Sequence, residues 1–311
     1  MTGYEGLRSG AAWFDLSDRG MIRMTGEDRT RLLQAMTTND IQKLEAGGGC
    51  YTFFLNAQGR ILADANVFAF DDSYLLDTEP ELGGKLHDHL DKYIIADDVT
   101  LTDERAQWGM IVVEGPQNGE VLRRLNAPVL DEPWAFAAWD GGFVAAVSST
   151  GAEGARIAVP ASEKAQLISK LKEMEVPEAS SLEAIVVRLE HGKPRYGDDI
   201  TERNLAQETN QMHAVAFGKG CYLGQEIVER VRSRAQLHRM LSPVRIRSQA
   251  APAPGTKLSA EGKEVAEITS AAWSPALGEV AALAYVRVEQ LQSRREMVMA
   301  GTNPRSTAYL P

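Results

Sequence analysis

Cysteine is scarce in this chain of 311 residues, and histidine is nearly as rare. The two cysteines, Cys50 and Cys221, are separated by most of the chain, so they do not form the disulfide framework of a small secreted domain. The five histidines show no spacing that would complete a zinc site. These absences are typical of a protein in a reducing compartment, and we expect a cytoplasmic location.

Long apolar runs and an excess of basic residues are also missing. No run approaches the roughly 20 residues that span a bilayer, and the first 17 residues carry charges instead of a secretory apolar stretch. We therefore expect a soluble protein with no membrane partner. A net charge of −10 argues against generic nucleic-acid binding, which needs a basic surface.

The overall composition is that of an ordinary globular protein, with 44% hydrophobic and 24% charged residues. The length predicts two or three units. Strands and helices interleave, but hairpins such as 50–55 with 60–70 favour α+β layers over a parallel sheet. Ser180 and Glu183 have the spacing of a helix capping box. Beyond Ser242, short strands alternate with Gly, Pro and Asn breaks, which predicts a small all-β C-terminal domain.

One cysteine has unusual neighbours. Residues 218–226 read Gly-Lys-Gly-Cys-Tyr-Leu-Gly-Gln-Glu, and helical periodicity begins directly afterwards. A nearby cation and a helix N-terminus both stabilise a thiolate, so Cys221 beside Lys219 is a candidate nucleophile, redox thiol or shared metal ligand. The alternative is a buried small residue that fits a tight turn. We interpret Cys50, at the start of an apolar strand, as a core residue.

A basic group follows this cysteine in an otherwise acidic chain. It would suit an anionic ligand, an acidic protein or an RNA phosphate, and the alternative is a solvated helix face balanced by Glu226 and Glu229. The group consists of Arg230, Arg232, Arg234, His238 and Arg239.

Three carboxylates stand in apolar surroundings. Asp64 lies inside an apolar strand, Glu190 ends the helix that starts near Ser180, and Glu208 follows Leu205-Ala206-Gln207. A buried carboxylate needs a partner, or its pKa shifts. It could accept hydrogen bonds from a bound heterocycle. For Asp64, exposure on the solvent side of the strand is the equally open alternative.

The cysteine segment resembles the signature of the YgfZ family of folate-binding proteins, which are relatives of the aminomethyltransferase (T-protein) of the glycine cleavage system. The resemblance rests on Lys219, Gly220, Cys221, Tyr222, Gly224, Gln225 and Glu226. Further similar stretches begin at Gly26, Gly59 and Arg188, so the resemblance covers most of residues 26–240. True aminomethyltransferases lack the cysteine. The sequence departs from the pattern in having Ala206 where proline is common, and it retains Asp64, which some YgfZ-type proteins lack.

The resemblance implies a fold and a ligand. We expect two α+β subdomains that form a ring with a central pocket, plus a small C-terminal β-barrel. The pocket region would comprise 1–241, with one half near 1–105 and 180–241 and the other at 106–179, and the barrel 242–311. By resemblance, the ligand is tetrahydrofolate or a derivative. Asp64 would lie beside its reactive part, Glu208 would bind the pterin with Glu190 nearby, and Arg239 would approach the carboxylate end.

Three hypotheses follow. In the leading one, the protein binds folate and assists iron–sulfur cluster assembly or repair, including in tRNA-modifying enzymes, with Cys221 as the working thiol and iron–sulfur proteins or assembly factors as partners. The second is a folate-dependent aminomethyl or methyl transferase that uses Asp64. The third is a non-catalytic scaffold whose basic helix binds an acidic partner.

Overall fold

A computed structural model describes residues 1–234, 237–299 and 306–311, without the side chain of Arg234. Within these residues, no helix is both long enough and apolar enough to cross a membrane. The helices are α1 (Gly3–Ser9), α2 (Arg29–Met36), α3 (Gly83–Asp91), α4 (Asn118–Arg124), α5 (Lys164–Glu173), α6 (Ser181–Glu190), α7 (Gln225–Arg234) and α8 (Val288–Ser293). The strands are β1 (Ala12–Asp15), β2 (Gly20–Thr25), β3 (Gly49–Leu55), β4 (Ile61–Ala69), β5 (Tyr74–Thr78), β6 (Thr100–Asp103), β7 (Trp108–Glu114), β8 (Phe136–Trp139), β9 (Gly142–Ala145), β10 (Gly154–Pro160), β11 (Arg239–Ile246), β12 (Lys257–Ala260), β13 (Lys263–Ser274), β14 (Glu279–Arg287), β15 (Met297–Met299) and β16 (Thr307–Tyr309).

These strands form two antiparallel sheets and a closed barrel. The first sheet has the order β3-β4-β5-β2-β6, the second β1-β7-β10-β9-β8, and the barrel β11-β14-β13-β12-β15-β16. The predicted fold class, two α+β units and a small C-terminal barrel, is therefore confirmed. Strand β1 pairs with β7, so the N-terminal segment contributes to the second sheet, and the barrel begins at Arg239. The division at 241 stays a prediction.

The β3–β4 hairpin forms as expected because its turn carries the right residues. The Asn56 Oδ1 atom accepts hydrogen bonds from the backbone N–H groups of Gln58 and Arg60, each at 2.9 Å. Gly59 has a φ of +70°, and a Cβ there would lie 2.7 Å from the Cβ of Ile227 in α7. Only glycine suits both requirements, so the turn and α7 pack directly together.

Helix α6 begins as the sequence indicates. Ser180 and Glu183 form the reciprocal capping box, and Gly192 follows the helix with a φ of +66°. The first turn of α6 lies at the rim of the space between the sheets, while its last turn faces the barrel through Leu189. This helix therefore links the centre of the molecule to the barrel.

An aromatic cluster joins the two sheets. Phe68 of the first sheet is T-shaped against Phe136 of the second, with ring centroids 5.6 Å apart, and Phe143 lies 5.7 Å from Phe68. Such aromatic pairs contribute beyond their buried area. All three side chains are buried, which fixes the distance between the sheets.

A buried ion cluster also joins the sheets. The Asp77 carboxylate of β5 is fully buried and pairs with Arg19 and with Arg156 of β10. Arg19 also donates to Glu79 at 2.7 Å. Two guanidinium groups from different parts of the fold thus share the Asp77 carboxylate.

We expect Asp77→Asn to lower the free energy of unfolding by about 3–5 kcal/mol, because it removes the anionic partner of the buried Arg156 and leaves the buried Arg19 with Glu79 alone. Urea unfolding followed by circular dichroism measures this effect. Asp71→Asn, at an exposed position, is the matched control and should leave the unfolding midpoint unchanged. Equal midpoints for Asp77→Asn and Asp71→Asn would contradict this account.

Candidate functional site

A cavity of about 1370 Å³ lies between the two sheets. Its walls come from both sheets, from the N-terminal parts of α4 and α6, and from the segment after α6. This central position agrees with the ring that the sequence predicts. The polar and aromatic lining residues include Arg19, Tyr51, Asp64, Asn66, Glu79, Trp134, Arg156, Lys193, Arg195 and His213.

Asp64 lies in this wall and is only 8% exposed. It is therefore buried, and the solvent-facing alternative for its strand position is wrong. Tyr51 of the neighbouring strand donates a hydrogen bond from its Oη to the Asp64 Oδ2 at 2.6 Å. Burial, followed by repulsion from Glu79, raises the pKa of Asp64 to about 6. A carboxyl group in this state can accept or release a proton near neutral pH.

An aromatic row stands beside Asp64. The ring centroid of His213 lies 5.5 Å from that of Tyr51 and 5.5 Å from that of Trp134, with the His213 and Trp134 rings stacked. Burial, helped by the positive charge of Lys193, lowers the pKa of His213. The imidazole is thus favoured in its neutral form, and the row offers flat faces to a planar ligand.

A chain of hydrogen bonds holds the cavity wall at Trp134 and Asn66 in place. Trp134 Nε1 donates to Asn66 Oδ1 at 2.9 Å, and Asn66 Nδ2 donates to Asp77 Oδ2 at 3.1 Å. Asp77 in turn holds Arg19 and Arg156, as described above. The aromatic row and the ion cluster are therefore one connected network, which fixes the shape of the wall before any ligand binds.

Cys221 is exposed, and none of the described residues of the 218–226 segment lines the cavity. The cysteine segment therefore does not contribute to the cavity wall. Cys50 is buried, as predicted, and burial raises its pKa to about 12. Of the two cysteines, only Cys221 is accessible to another protein.

Lys219 does not act as the free cation that the sequence suggested. Its Nζ atom is buried and donates to the carbonyl oxygens of Gln34, Thr37 and Asn39 at 2.7, 2.7 and 2.6 Å. These carbonyls lie at and just beyond the C-terminal end of α2, where orphan acceptors need donors. Burial lowers the pKa of Lys219 to about 8. The lysine is a structural link between the cysteine segment and α2.

The other motif residues also have structural contacts. The Tyr222 ring lies 5.1 Å from the Lys219 Nζ. Gly224 has a φ of +83°, and a Cβ there would come within 2.7 Å of the Asn56 carbonyl oxygen. Gln225 accepts from the Tyr222 N–H at 3.3 Å, and Glu226 pairs with Arg230 on the surface. The motif thus builds a tight turn that presents Cys221.

Glu190 connects α1 and the barrel through its carboxylate. Its carboxylate accepts from the Tyr4 hydroxyl at 2.6 Å and the Ser274 hydroxyl at 2.5 Å, and it pairs with Arg8. These partners come from α1 and the barrel, and Glu190 is absent from the cavity lining. Its predicted role in binding the folate stays a prediction, and its carboxylate oxygens are already engaged by structural donors.

Glu208 and Arg239 are brought together as an ion pair. Arg239 Nε donates to Glu208 Oε1 at 3.0 Å, and the guanidinium lies 4.8 Å from the Tyr285 ring centroid. Neither residue lines the cavity. Their predicted ligand contacts stay predictions, since a ligand at that place would have to compete with this ion pair.

The basic helix is largely neutralised on its own surface. Arg230 pairs with Glu226, and Arg232 lies 3.5 Å from Glu229 and 4.5 Å from the Phe217 ring centroid. This is the solvated, balanced helix face that the sequence left open as an alternative. The side chain of Arg234 lies outside the described part of the structure.

Sequence reasoning missed Tyr51, His213, Trp134 and Lys193. For Tyr51 a signal existed, because the β3–β4 register places Phe53 opposite Asp64. Tyr51, two residues earlier, therefore shares a face with the carboxylate as its diagonal neighbour. Trp134 comes from a turn and His213 from a short 3-10 helix far from it in the chain, so no local pattern could have joined them.

The geometry defines a two-sheet protein with a central polar and aromatic cavity and an appended barrel, and comparisons with known proteins give the same class. Residues 3–219 match the GCVT N-terminal domain, and residues 239–306 match the glycine cleavage T-protein C-terminal barrel domain. The chain therefore belongs to the family that these two domains define.

Individual relatives agree with this assignment. An aminomethyltransferase from Koribacter versatilis is 28% identical over 91% of this chain and 78% of its own length. The Arabidopsis thaliana protein named "Putative transferase At1g60990, chloroplastic" is 27% identical over 84% of this chain, which spans 62% of that relative's length. The glycine cleavage system aminomethyltransferase T of Bartonella henselae has the same fold, with a TM-score of 0.90 at 20% identity over 99% of this chain and 87% of that one.

The raised pKa of Asp64 implies that the free energy of unfolding depends on pH. The folded state keeps this carboxyl protonated up to about pH 6, whereas the unfolded chain releases the proton near pH 4. The wild type therefore loses up to about 3 kcal/mol of unfolding free energy from this group as the pH rises through that window. Asp64→Asn cannot titrate, so its stability relative to the wild type should increase by that amount between pH 4 and pH 7.5.

Urea titrations at a series of pH values measure this difference, with Asp71→Asn as the control for loss of a carboxylate. Infrared spectroscopy at pH 5 should also show a protonated carboxyl band that is absent in Asp64→Asn. A stability difference that stays flat across the pH range would show that Asp64 ionises normally.

Proposed function

We propose that this protein binds a tetrahydrofolate in the central cavity and assists iron–sulfur cluster assembly or repair, with Cys221 as the thiol that meets the partner protein. The observation that carries the first part is the buried Asp64–Tyr51 pair, which opens on a large cavity flanked by an aromatic row. The second part rests on the resemblance of the cysteine segment to the YgfZ family and on the exposure of Cys221.

The lining residues fit a folate. Ligand sites usually measure about 300–1,000 Å³, so a cavity of about 1370 Å³ accommodates such a molecule with room for a second reactant. Tyr51, His213 and Trp134 offer faces to its ring systems, and Asp64 can accept hydrogen bonds from its nitrogen donors. When bound, tetrahydrofolate supplies a carrier for one-carbon units. Asp64 would orient it and hold or release a proton, and Tyr51 would position Asp64.

Cys221 would act at a different place. Because its thiol is exposed and outside the cavity lining, it is accessible to a client protein without displacing a ligand from the cavity. The rigid turn around it, built by Lys219 and Gly224, limits the entropy that is lost when a partner binds. Folate would then influence the protein from the cavity, while the thiol contacts the partner at the surface.

Folate-dependent one-carbon transfer is a second candidate function, and two observations favour it. The first is that Asp64 is buried in the cavity with a pKa of about 6, a state suited to proton transfer. The second is the similarity to aminomethyltransferases over most of the chain. The scaffold hypothesis has less support, because Arg230 and Arg232 already have carboxylate partners.

Titration calorimetry with tetrahydrofolate tests the ligand. We expect binding to the wild type, and a weakening of about tenfold or more in Asp64→Asn, because a neutral amide is a weaker acceptor than a carboxylate. Asp71→Asn, at an exposed position, should bind as the wild type does. No binding by folded wild type at millimolar ligand would defeat the folate proposal.

Complementation separates the two candidate functions. In a strain that lacks its own protein of this type, we expect Cys221→Ser to fail to restore an iron–sulfur enzyme that modifies tRNA, although its affinity for tetrahydrofolate is unchanged. Cys50→Ser is the control for loss of a thiol. Full rescue by Cys221→Ser together with failure of Asp64→Asn would instead support one-carbon transfer.

A further inference from the structure

Lys193 is a cavity residue that neither the fold nor the resemblance explains. It follows Gly192 at the end of α6 and lines the central cavity. Arg188 holds the backbone of Lys193 through two hydrogen bonds. The Lys193 N–H donates to the Arg188 carbonyl oxygen at 3.0 Å, and the Arg188 Nη1 donates to the Lys193 carbonyl oxygen at 3.1 Å. The base of the side chain is thus fixed.

The ammonium group of Lys193 has no hydrogen bond or ion pair with any described residue of the chain, although it is only partly exposed. Three arginines of the same wall are engaged. Arg19 pairs with Asp77 and Glu79, Arg156 pairs with Asp77, and Arg195 pairs with Glu79. An ammonium group offers three donors, so Lys193 presents unused hydrogen-bonding capacity to the cavity.

The nearby carboxylates are occupied by other donors. Glu114 accepts from the Ser149 N–H and from the backbone and hydroxyl of Thr150. Asp64 accepts from Tyr51. Burial, and next the positive charge of Arg156, lower the pKa of Lys193 to about 8, so the charged form is held there at a cost. A ligand anion would remove that cost.

We propose that Lys193 binds a carboxylate of the ligand's glutamate tail inside the central cavity. This inference rests on the proposed folate function, and it gives Lys193 a contact that the sequence assigned to Arg239. Arg239 is committed to Glu208 outside the cavity lining, whereas Lys193 shares the cavity with Asp64. Asp64 and Lys193 would therefore hold two different parts of one ligand.

The test compares two ligands that share the pterin: tetrahydrofolate, and 6-methyltetrahydropterin, which lacks both the p-aminobenzoyl group and the glutamate. For Lys193→Met, we expect the affinity for tetrahydrofolate to fall roughly 10- to 100-fold, since a charge-assisted hydrogen bond is lost. The affinity for the pterin should change less than about twofold. Lys193→Arg should retain most of the affinity for tetrahydrofolate.

Lys263→Met removes a lysine from an exposed position of the barrel and controls for the change in net charge. Lys193→Met should be at least as stable as the wild type without ligand, because it removes an ammonium group that has no partner. If the wild type binds neither ligand, the folate proposal itself fails. If the wild type binds both and Lys193→Met weakens them equally or not at all, Lys193 is not the tail site, and the folate proposal stands.

Discussion

The central cavity depends on one buried carboxylate. Asp77 pairs with Arg19 and Arg156, and through Asn66 it also fixes Trp134. Ions buried in this way contribute little to the net stability of the fold, because their desolvation offsets much of their attraction. Their main effect is to hold the groups around them in one arrangement. Here the arrangement is the separation of the two sheets, and with it the existence of a hollow between them.

The chemistry of the cavity wall follows from that construction. With the sheets held apart, Asp64 remains buried beside a cavity and close to Glu79, and this combination raises its pKa. The hydrogen bond from Tyr51, followed by the positive charge of Arg19, partly opposes the shift, so the pKa of Asp64 stays near 6. Burial is the main cause of the lowered pKa of Lys193 and of His213, and neighbouring positive charges lower both further. The wall thus places Asp64, with a pKa of about 6, and Lys193, with a pKa of about 8, beside flat aromatic faces, and such shifted groups are typical of ligand sites.

The cysteine segment and the cavity are two separate features of the molecule. Lys219 and Gly224 attach the segment to α2 and to the β3–β4 turn, and Cys221 points to solvent. A function that uses both would therefore join a buried small ligand to a surface contact. The protein differs in this respect from an enzyme whose thiol attacks a bound substrate, because the thiol of such an enzyme would have to line the cavity.

The sequence by itself determined the local elements and the fold class. Examples are the turn at Asn56–Gly59, the capping box of α6 and the barrel strands. Each depends on short-range hydrogen bonding, backbone conformation or apolar periodicity, which neighbouring residues determine. Only the tertiary structure decided which polar residues face the cavity. Glu190 and Glu208 looked like Asp64 in sequence, yet Tyr4, Arg8, Ser274 and Arg239 engage them elsewhere. Those partners come from distant segments, and the role of a buried charge is set by the groups that surround it in space.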